Sequence, residues 1–118
     1  MAGYLRDRQI PLIVILIPDQ IQVDPLLREE FIAAFSIRDE LYDFGRPQAL
    51  FHAWCVEHDV PCIDLRKDFA RQAKPSDLFL QNDMHWSVAG HALASETIFA
   101  KLRPVVMSAA KDHRAAEN

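Results

Sequence analysis

Residues 12–17, Leu-Ile-Val-Ile-Leu-Ile, constrain the fold of this chain more than any other segment. Every position in the run is apolar, β-branched side chains dominate it, and Pro18 ends it. A strand that is apolar on both faces belongs in the interior of a parallel sheet that is covered by helices. A second, mostly apolar run, residues 60–65, follows after a long intervening segment and contains one charged residue, Asp64. Two such runs separated by helical patterns predict an α/β class with a short parallel sheet.

Helix signals lie between and after the two predicted strands. Asp24 followed by Pro25 predicts a helix start, because a carboxylate can cap the first turn and proline fits the first helical position. Residues 38–44 read as a second, shorter helical segment, and Pro47 opens a further helix. A short helix with Phe69 turned inward is expected after the second strand.

The last helix is predicted to start after Ser87, whose hydroxyl can act as its N-cap, and to end at Pro104. Its apolar positions are expected to share one face: Val88, Ala92, Ile98, Phe99 and Leu102. From residue 108 onward the sequence is polar and alanine-rich without a clear pattern. We therefore expect one domain over residues 1–103 and a frayed or disordered tail over residues 104–118.

Composition and charge indicate which kinds of molecule the chain is expected to bind, and where it is expected to be found. The chain has 118 residues and a net charge of −4, and it shows no stripe of lysine or arginine, so a nucleic-acid partner is not expected. Cys55 and Cys62 are too few for a disulfide framework and are expected to be small core residues. The first apolar run is far shorter than the roughly 20 residues that span a bilayer, and no signal-peptide cleavage site follows it. As written, the sequence predicts a cytoplasmic protein.

Residues 82–91, Asn-Asp-Met-His-Trp-Ser-Val-Ala-Gly-His, concentrate the side chains that can carry chemistry. Asp83 and His85 are two residues apart, close enough for the carboxylate to bind one ring nitrogen and leave the other free to accept a proton. The alternative is a plain helix entrance, in which Asp83 caps backbone amides and His85 is a surface residue. At the carboxyl end of the first strand, Asp19 and Gln20 are candidate substrate neighbours, since ligands of open α/β sheets bind at that edge; a polar loop without a role is the alternative.

The block Asp83-Met84-His85-Trp86-Ser87 with Gly90-His91 resembles the C-terminal catalytic block of SGNH (GDSL-like) serine hydrolases. It is most similar to the variant seen in cell-envelope acetylesterases and acyltransferases, and the likeness extends upstream through residues 10–18 and 60–65. The resemblance covers roughly residues 9–103. It implies a three-layer α/β/α, flavodoxin-like fold, of which this chain would hold an incomplete part.

The resemblance also implies roles for individual residues. It makes His85 the general base and Asp83 the residue that orients it, with no cofactor and no metal. Trp86 is expected beside the substrate. Asp64, Ser87 and His91 are expected to be structural, with Asp64 hydrogen-bonded to backbone or to a neighbouring loop.

The serine nucleophile that the resemblance requires has no counterpart in the sequence. None of the five serines follows a strand in a glycine-rich turn: Ser36, Ser76, Ser87, Ser95 and Ser108. The expectation is that the chain is the second half of a hydrolase, whose nucleophile and oxyanion-hole donors lie in an N-terminal half. An export signal in that half would change the expected location to the cell envelope or periplasm.

Three functions follow as hypotheses. The first is the Asp/His part of an ester hydrolase or O-acyl transferase that acts through a serine acyl-enzyme on an ester or acylated carbohydrate, with activity only when the missing half completes it. The second is a non-catalytic α/β interaction module or a decayed hydrolase fragment. The third is a metal-binding hydrolase that uses Asp83, His85 and His91. Since two strands alone leave apolar sheet edges exposed, self-association is also expected.

Overall fold

Two short parallel strands form the centre of the computed structural model, which describes residues 2–116. Strand β1 (Val14–Leu16) pairs with β2 (Cys62–Asp64), and Val14, Ile15 and Leu16 lie opposite Cys62, Ile63 and Asp64. The parallel sheet predicted from the two apolar runs is confirmed. The strands are shorter than the runs, and Pro18 lies just beyond β1 because proline cannot donate to a ladder.

Helices surround this pair of strands and account for most of the chain. They are α1 (Ala2–Arg6), α2 (Gln20–Val23), α3 (Pro25–Ala34), α4 (Arg46–Glu57), α5 (Arg66–Ala70) and α6 (Val88–Ala116), with 3-10 turns at Asp39–Leu41 and Pro75–Leu78. The α/β class is therefore confirmed, with the sheet reduced to two strands. No helix among residues 2–116 is both long and apolar enough to cross a membrane.

Most helix starts lie where the sequence signals place them. The Asp24 carboxylate accepts hydrogen bonds from the backbone amides of Leu26 (3.1 Å) and Leu27 (3.3 Å), so the start of α3 is confirmed. The helical segment expected over residues 38–44 is wrong, since only the 3-10 turn forms there. The run is too short to propagate a helix, because nucleation costs more than one turn regains.

The hydrophobic core lies beneath β2 and the loops that follow it. Its buried members are Val23, Ile63, Leu65, Phe69, Leu78, Phe79 and Ala94. Phe69 is fully buried, so its expected inward orientation on α5 is confirmed. Cys55 is buried and Cys62 half-buried, both as free thiols. Burial, followed by the neighbouring Cys55, raises the pKa of Cys62 to about 11, so its thiol stays protonated at neutral pH.

Helix α6 departs from its expected boundary and from part of its expected face. It continues through Pro104 to Ala116, so the segment expected to be a frayed tail is helical up to that residue, and residues 117–118 lie outside the described part. The alanine-rich sequence after Pro104 favours helix strongly enough to offset one lost hydrogen bond. Val88 and Phe99 are 88% and 69% exposed, and Ala92 is exposed as well, which contradicts the expected inward orientation of these three residues.

The face of α6 that meets the core is set by its first turn. Gly90 and Ala94 are buried, and Ile98 and Leu102 pack partly buried against the core, so the contact stripe repeats every four residues. A Cβ atom on Gly90 would overlap the backbone carbonyl oxygen of Leu78. Glycine therefore lets the helix approach the Pro75–Leu78 turn closely, and this approach fixes which residues face inward.

One edge of β1 has no partner strand among the described residues, because the sheet order is β1–β2 alone. Ile15 on this strand and Ile17, just beyond its end, are 40% and 62% exposed. The radius of gyration, 17.7 Å, exceeds the roughly 13 Å of a compact domain of this length, mainly because α6 extends beyond the core. The exposed apolar edge expected from the sequence is present in this structure.

Replacing Gly90 with alanine should lower the free energy of unfolding by about 1–3 kcal/mol, because the new methyl group forces the helix away from a backbone atom that cannot yield. Thermal unfolding followed by circular dichroism measures the change. Gly3→Ala is the matched control, since nothing lies within 4 Å of its added Cβ. Gly3→Ala should leave stability unchanged or raise it by up to about 1 kcal/mol. Equal effects of the two substitutions would contradict the close approach.

We propose that the free edge of β1 makes the isolated chain self-associate, since unpaired backbone groups beside apolar side chains favour strand pairing. Sedimentation velocity over a concentration series should show dimers or larger species. Ile17→Lys should reduce association by placing a charge on the edge. Val88→Lys adds the same charge at an exposed apolar position elsewhere and should have no effect. A monomer at all concentrations would contradict the prediction.

Candidate active site

The loop that carries Asp83 and His85 is a tight reversal between two anchored residues. Phe79 and Trp86 form an isolated antiparallel bridge, and the Leu80 amide donates to the His85 carbonyl at 2.9 Å. Phe79 is buried. The centroid of the Trp86 ring lies 5.2 Å from that of the Phe69 ring. The two ends of the loop are therefore fixed to the core while its tip lies in solvent.

The Asp83 carboxylate holds both the backbone and the ring of His85. Its Oδ1 atom accepts a hydrogen bond from the His85 amide at 3.0 Å and lies 2.5 Å from Nδ1 of the ring. With Nδ1 engaged by the carboxylate, Nε2 is the nitrogen left to exchange a proton with another group. The structure thus brings together the two residues that the sequence singled out.

Both side chains of this pair are accessible to solvent. The side chain of His85 is 85% exposed and that of Asp83 is 46% exposed. The backbone hydrogen bond from His85, followed by its ring contact, lowers the pKa of the Asp83 carboxyl below its ordinary value. Asp83 is therefore an anion at neutral pH and can stabilise a positive charge on the ring.

A cleft of about 970 Å³ opens beside the loop and brings three of the expected residues together. Asp19, Gln20 and Asp83 share it, although Asp19 and Asp83 are far apart in sequence. The remaining lining residues come from α2, α3 and the segment 76–84: Ile21, Leu27, Phe31, Ser76, Asp77, Phe79, Leu80, Gln81, Asn82 and Met84. The cleft lies at the carboxyl end of β1, the edge where ligands bind in open α/β sheets.

Asp19 and Gln20 also have structural contacts within their own segment. The Asp19 carboxylate accepts from the Ile21 amide at 3.0 Å, and Gln22 returns a contact to the Asp19 amide at 2.9 Å, which makes a capping box for α2. Gln20 donates to the Asp24 carboxylate at 3.3 Å. Helix α2 was not expected from the sequence, although Asp19 followed three positions later by Gln22 is a recognisable capping signal.

Ser87 is held by backbone contacts at the start of α6. Its hydroxyl donates to the Asp77 carbonyl at 2.6 Å and accepts from the Gly90 amide at 3.2 Å. This is the capping position that the sequence indicated. The hydroxyl bridges the Pro75–Leu78 turn to the helix and so supports the loop between them.

Trp86 and His91 lie away from the cleft. The Trp86 ring packs against the core and against His91, whose ring centroid is 5.5 Å away in an edge contact. Trp86 is not among the residues that line the cleft, so this structure does not support its expected place beside a substrate. Its apolar ring instead fixes one end of the loop of residues 80–85 that carries Asp83 and His85, called the dyad loop below, to the core.

The metal alternative needs three ligands that converge. Within residues 2–116, no group of three or more histidine, cysteine, aspartate or glutamate side chains is placed to hold an ion. His91 contacts Trp86, whereas His85 is engaged by Asp83. The hypothesis that Asp83, His85 and His91 form one site is therefore not supported by their positions.

Asp64, at the end of β2, is engaged with neighbouring backbone. Its carboxylate accepts from the Arg66 amide at 2.9 Å, and its carbonyl accepts from the Lys101 ammonium at 3.3 Å. Lys101 also pairs with Asp68 at 2.5 Å. These contacts join β2, α5 and α6. The expected role of Asp64 was structural, with hydrogen bonds to backbone or to a neighbouring loop, and the contact with the Arg66 amide is of this type.

Sequence reasoning missed the other walls of the cleft. Leu27 and Phe31 face it from α3, while Ser76 and Asp77 face it from the turn before the dyad loop. Helical spacing shows Phe31 only as an apolar position. Lys74-Pro75-Ser76-Asp77 shows a turn, but a turn signal does not show which cleft its side chains border.

The lowered pKa of Asp83 leads to a test by NMR titration of its carboxyl carbon. Removing the ring with His85→Ala should raise this pKa only part of the way to its ordinary value, because the His85 backbone amide, the larger cause, remains. A depressed pKa stabilises the paired state at neutral pH, and this contribution is lost as the pH falls through the lowered value. His52→Ala, an exposed histidine on α4, should leave the pKa of Asp83 unchanged. No change with His85→Ala would contradict the contact.

Comparison with known proteins identifies the family of this chain and agrees with the α/β fold. The family described as "SGNH hydrolase-like domain, acetyltransferase AlgX" matches residues 1–117. No curated protein and no solved structure matches the chain significantly. The family match includes β1, β2, the Asp83–His85 loop and α6 up to residue 116. The chain therefore belongs to the family of SGNH hydrolase-like domains named for the acetyltransferase AlgX.

Proposed function

We propose that this chain supplies the acid–base part of a serine-dependent acyl-transfer site, with His85 as general base and Asp83 as the residue that orients it. The observation that carries the proposal is the Asp83 Oδ1 to His85 Nδ1 contact, which leaves Nε2 open to solvent. The family name favours acetyl as the acyl group. An O-acetylated carbohydrate or another ester is the proposed substrate.

The proposed reaction follows the ordinary course of a serine acyl-enzyme. A serine hydroxyl attacks the ester carbonyl while Nε2 of His85 accepts its proton, and Asp83 stabilises the charged ring. The tetrahedral intermediate then expels the alcohol, which takes the proton back from His85. Water or a sugar hydroxyl then attacks the acyl-enzyme carbonyl while the same nitrogen accepts its proton. The second tetrahedral intermediate expels the serine oxygen, which takes that proton from His85, and the acid or the acylated sugar is released.

The serine belongs to a segment beyond the described residues in this proposal. Among residues 2–116 no serine hydroxyl is hydrogen-bonded to the His85 ring. The Ser87 hydroxyl is committed to Asp77 and Gly90. Ser76 borders the cleft, yet His85 is not among the residues that line that cleft. The high exposure of His85 leaves its free nitrogen open to a hydroxyl that another segment presents.

A non-catalytic interaction module is the second candidate, and the same exposure favours it. Catalytic pairs work best where water is excluded, because electrostatic stabilisation is weaker in a solvated site. In the described residues the His85 ring lies outside the cleft and in solvent. The two candidates differ in one respect: only the enzyme requires the ring of His85.

Acetyl release from an acetylated xylo-oligosaccharide tests the proposal with two proteins, the 118-residue chain and the product of the same reading frame extended upstream of Met1. We expect background rates from the chain alone and turnover from the extended protein. In the extended protein, His85→Ala should lower kcat/KM by about a hundredfold or more, since general-base catalysis commonly contributes that much. Asp83→Asn should lower it less than His85→Ala and shift its pH profile.

The matched control is His52→Ala, which removes an exposed histidine from α4 and should leave the rate within twofold, a margin of about 0.4 kcal/mol. Equal rates for the parent and His85→Ala would remove His85 from the mechanism. Turnover by the 118-residue chain that is lost with Ser76→Ala would place the nucleophile inside the chain. If no frame extends upstream and the chain has no turnover, the enzyme proposal fails and the module is favoured.

A further inference from the structure

We propose that Cys55 and Cys62 form a modification site, at which a small-molecule disulfide such as oxidised glutathione converts the two thiols into an internal disulfide bond between α4 and β2. They are the only two cysteines of the sequence, and both are free thiols in this structure. Neither lines the cleft beside the dyad loop, so the inference does not rest on the proposed function.

The turn between α4 and β2 brings the two cysteines to the same level of the fold. Cys55 lies in the last turn of α4, which ends at Glu57. Beyond the helix, Asp59 has a left-handed backbone with φ 54°, and the Val60 amide donates to the Cys55 carbonyl at 2.8 Å. This reversal closes the helix end and returns the chain beside Cys55, two residues before Cys62 begins β2.

The alternation of side chains along β2 directs Cys62 towards α4. Successive residues of a strand point to opposite faces of the sheet. Ile63 belongs to the core cluster that includes residues of α5 and α6, so Cys62 points to the other face. Helix α4 packs against both strands, and its buried residues are Gln48 and Cys55, two helical turns apart. Since α5 and α6 lie on the Ile63 face, α4 covers the face that carries Cys62.

The two side chains are neighbours. Burial, followed by the side chain of Cys55, raises the pKa of Cys62 to about 11, and the Asp64 carboxylate on the same strand acts in the same direction. A disulfide requires side chains directed at each other and Cα atoms within about 7 Å. The facing side chains meet the first condition, and the short turn that joins the two elements allows the second.

The two thiols differ in access, and this fixes the order of the reaction. Cys55 is 1% exposed, whereas Cys62 is half-buried, so the oxidant reaches Cys62 first. The Cys62 thiolate attacks one sulfur of oxidised glutathione, and the other sulfur leaves as a glutathione thiolate. The Cys55 thiol then loses its proton and attacks the Cys62 sulfur, which expels the second glutathione. Two cysteine thiols are thus oxidised to one disulfide, while one glutathione disulfide is reduced to two thiols.

The bond would fasten α4 to the sheet. It closes the loop of residues 55–62, and the restriction of the unfolded chain should raise the midpoint of thermal unfolding by roughly 5–10 °C. Such bonds persist in oxidising compartments and are opened where thiol reductants dominate. The attachment of α4 to β2 would therefore be stronger in an oxidising environment than in a reducing one.

Incubation of the dilute 118-residue chain with oxidised glutathione tests the proposal, with intact mass and peptide mapping as the readouts. We expect the mass to fall by that of two hydrogen atoms and the peptides that hold Cys55 and Cys62 to be linked until dithiothreitol is added. The rate should rise by about tenfold per pH unit between about pH 7 and 9, because the Cys62 thiolate is scarce below a pKa of about 11.

Single substitutions identify the role of each thiol. Cys55→Ala should leave a stable mixed disulfide of glutathione at Cys62, because no second thiol expels it. Cys62→Ala should leave Cys55 free, because the oxidant does not reach the buried sulfur. Alanine is chosen over serine because a hydroxyl at position 55 would be buried without a partner. Neither variant should show the rise in the thermal midpoint.

Three outcomes would overturn the modification site: glutathione attached to both cysteines of the parent, bonds only between separate chains, or two free thiols after long exposure at about pH 9. A thermal midpoint that is unchanged or lower after the internal bond forms would overturn its role in fastening α4 to the sheet.

Discussion

The close contact between the first turn of α6 and the carbonyl of Leu78 governs the rest of the site. The Ser87 amide donates to that carbonyl at 2.9 Å, and Gly90 has no side chain where a Cβ would overlap it. The Ser87 hydroxyl adds a second link to the Asp77 carbonyl. Because the helix cannot approach the turn in another register, the eight residues between them must reverse sharply, and Asp83 and His85 lie on that reversal.

In this arrangement the rigid part of the loop and its solvent-exposed part are different residues. Phe79 and Trp86 are held by the core at the two ends of the loop, while the dyad at its tip is open to solvent. The carboxylate keeps the ring oriented through two contacts from one oxygen atom. The pair is thus preorganised without being buried. In the proposed reaction, water would have to be excluded by the surface that presents the serine hydroxyl, because electrostatic stabilisation is weaker in a solvated site.

Sequence reasoning recovered the features that depend on local chemistry. The parallel strands, the Asp24 cap, the Ser87 cap and the Asp83–His85 pair are short-range signals, and each lies where the sequence places it. The inward face of α6 was only partly recovered. Periodicity alone cannot tell which side of a mixed helix meets the core, and here the answer depends on the fit of Gly90 against a distant carbonyl.

The cleft itself could not be read from the sequence for a related reason. Its walls come from α2, α3, the Pro75–Leu78 turn and the dyad loop, and their proximity is a property of the packing. Asp19 was found because the end of a parallel strand is a general ligand edge. Asp77 has no such rule to mark it, since a charged residue in a turn is usually solvated. Its place at the cleft appears only once the fold packs the Pro75–Leu78 turn against α2.

The free edge of β1 and the cleft beside the dyad loop are neighbouring surfaces that share residues. An apolar hollow of about 580 Å³ runs along Ile15 and Ile17, and it shares Asp19, Ile21 and Phe31 with the cleft beside the loop. A segment that covered the strand edge would therefore end beside the acidic cleft and its dyad loop. The same contact would bury the isoleucines beside the strand edge, and this apolar burial would favour a segment that pairs with the edge that the described residues leave open.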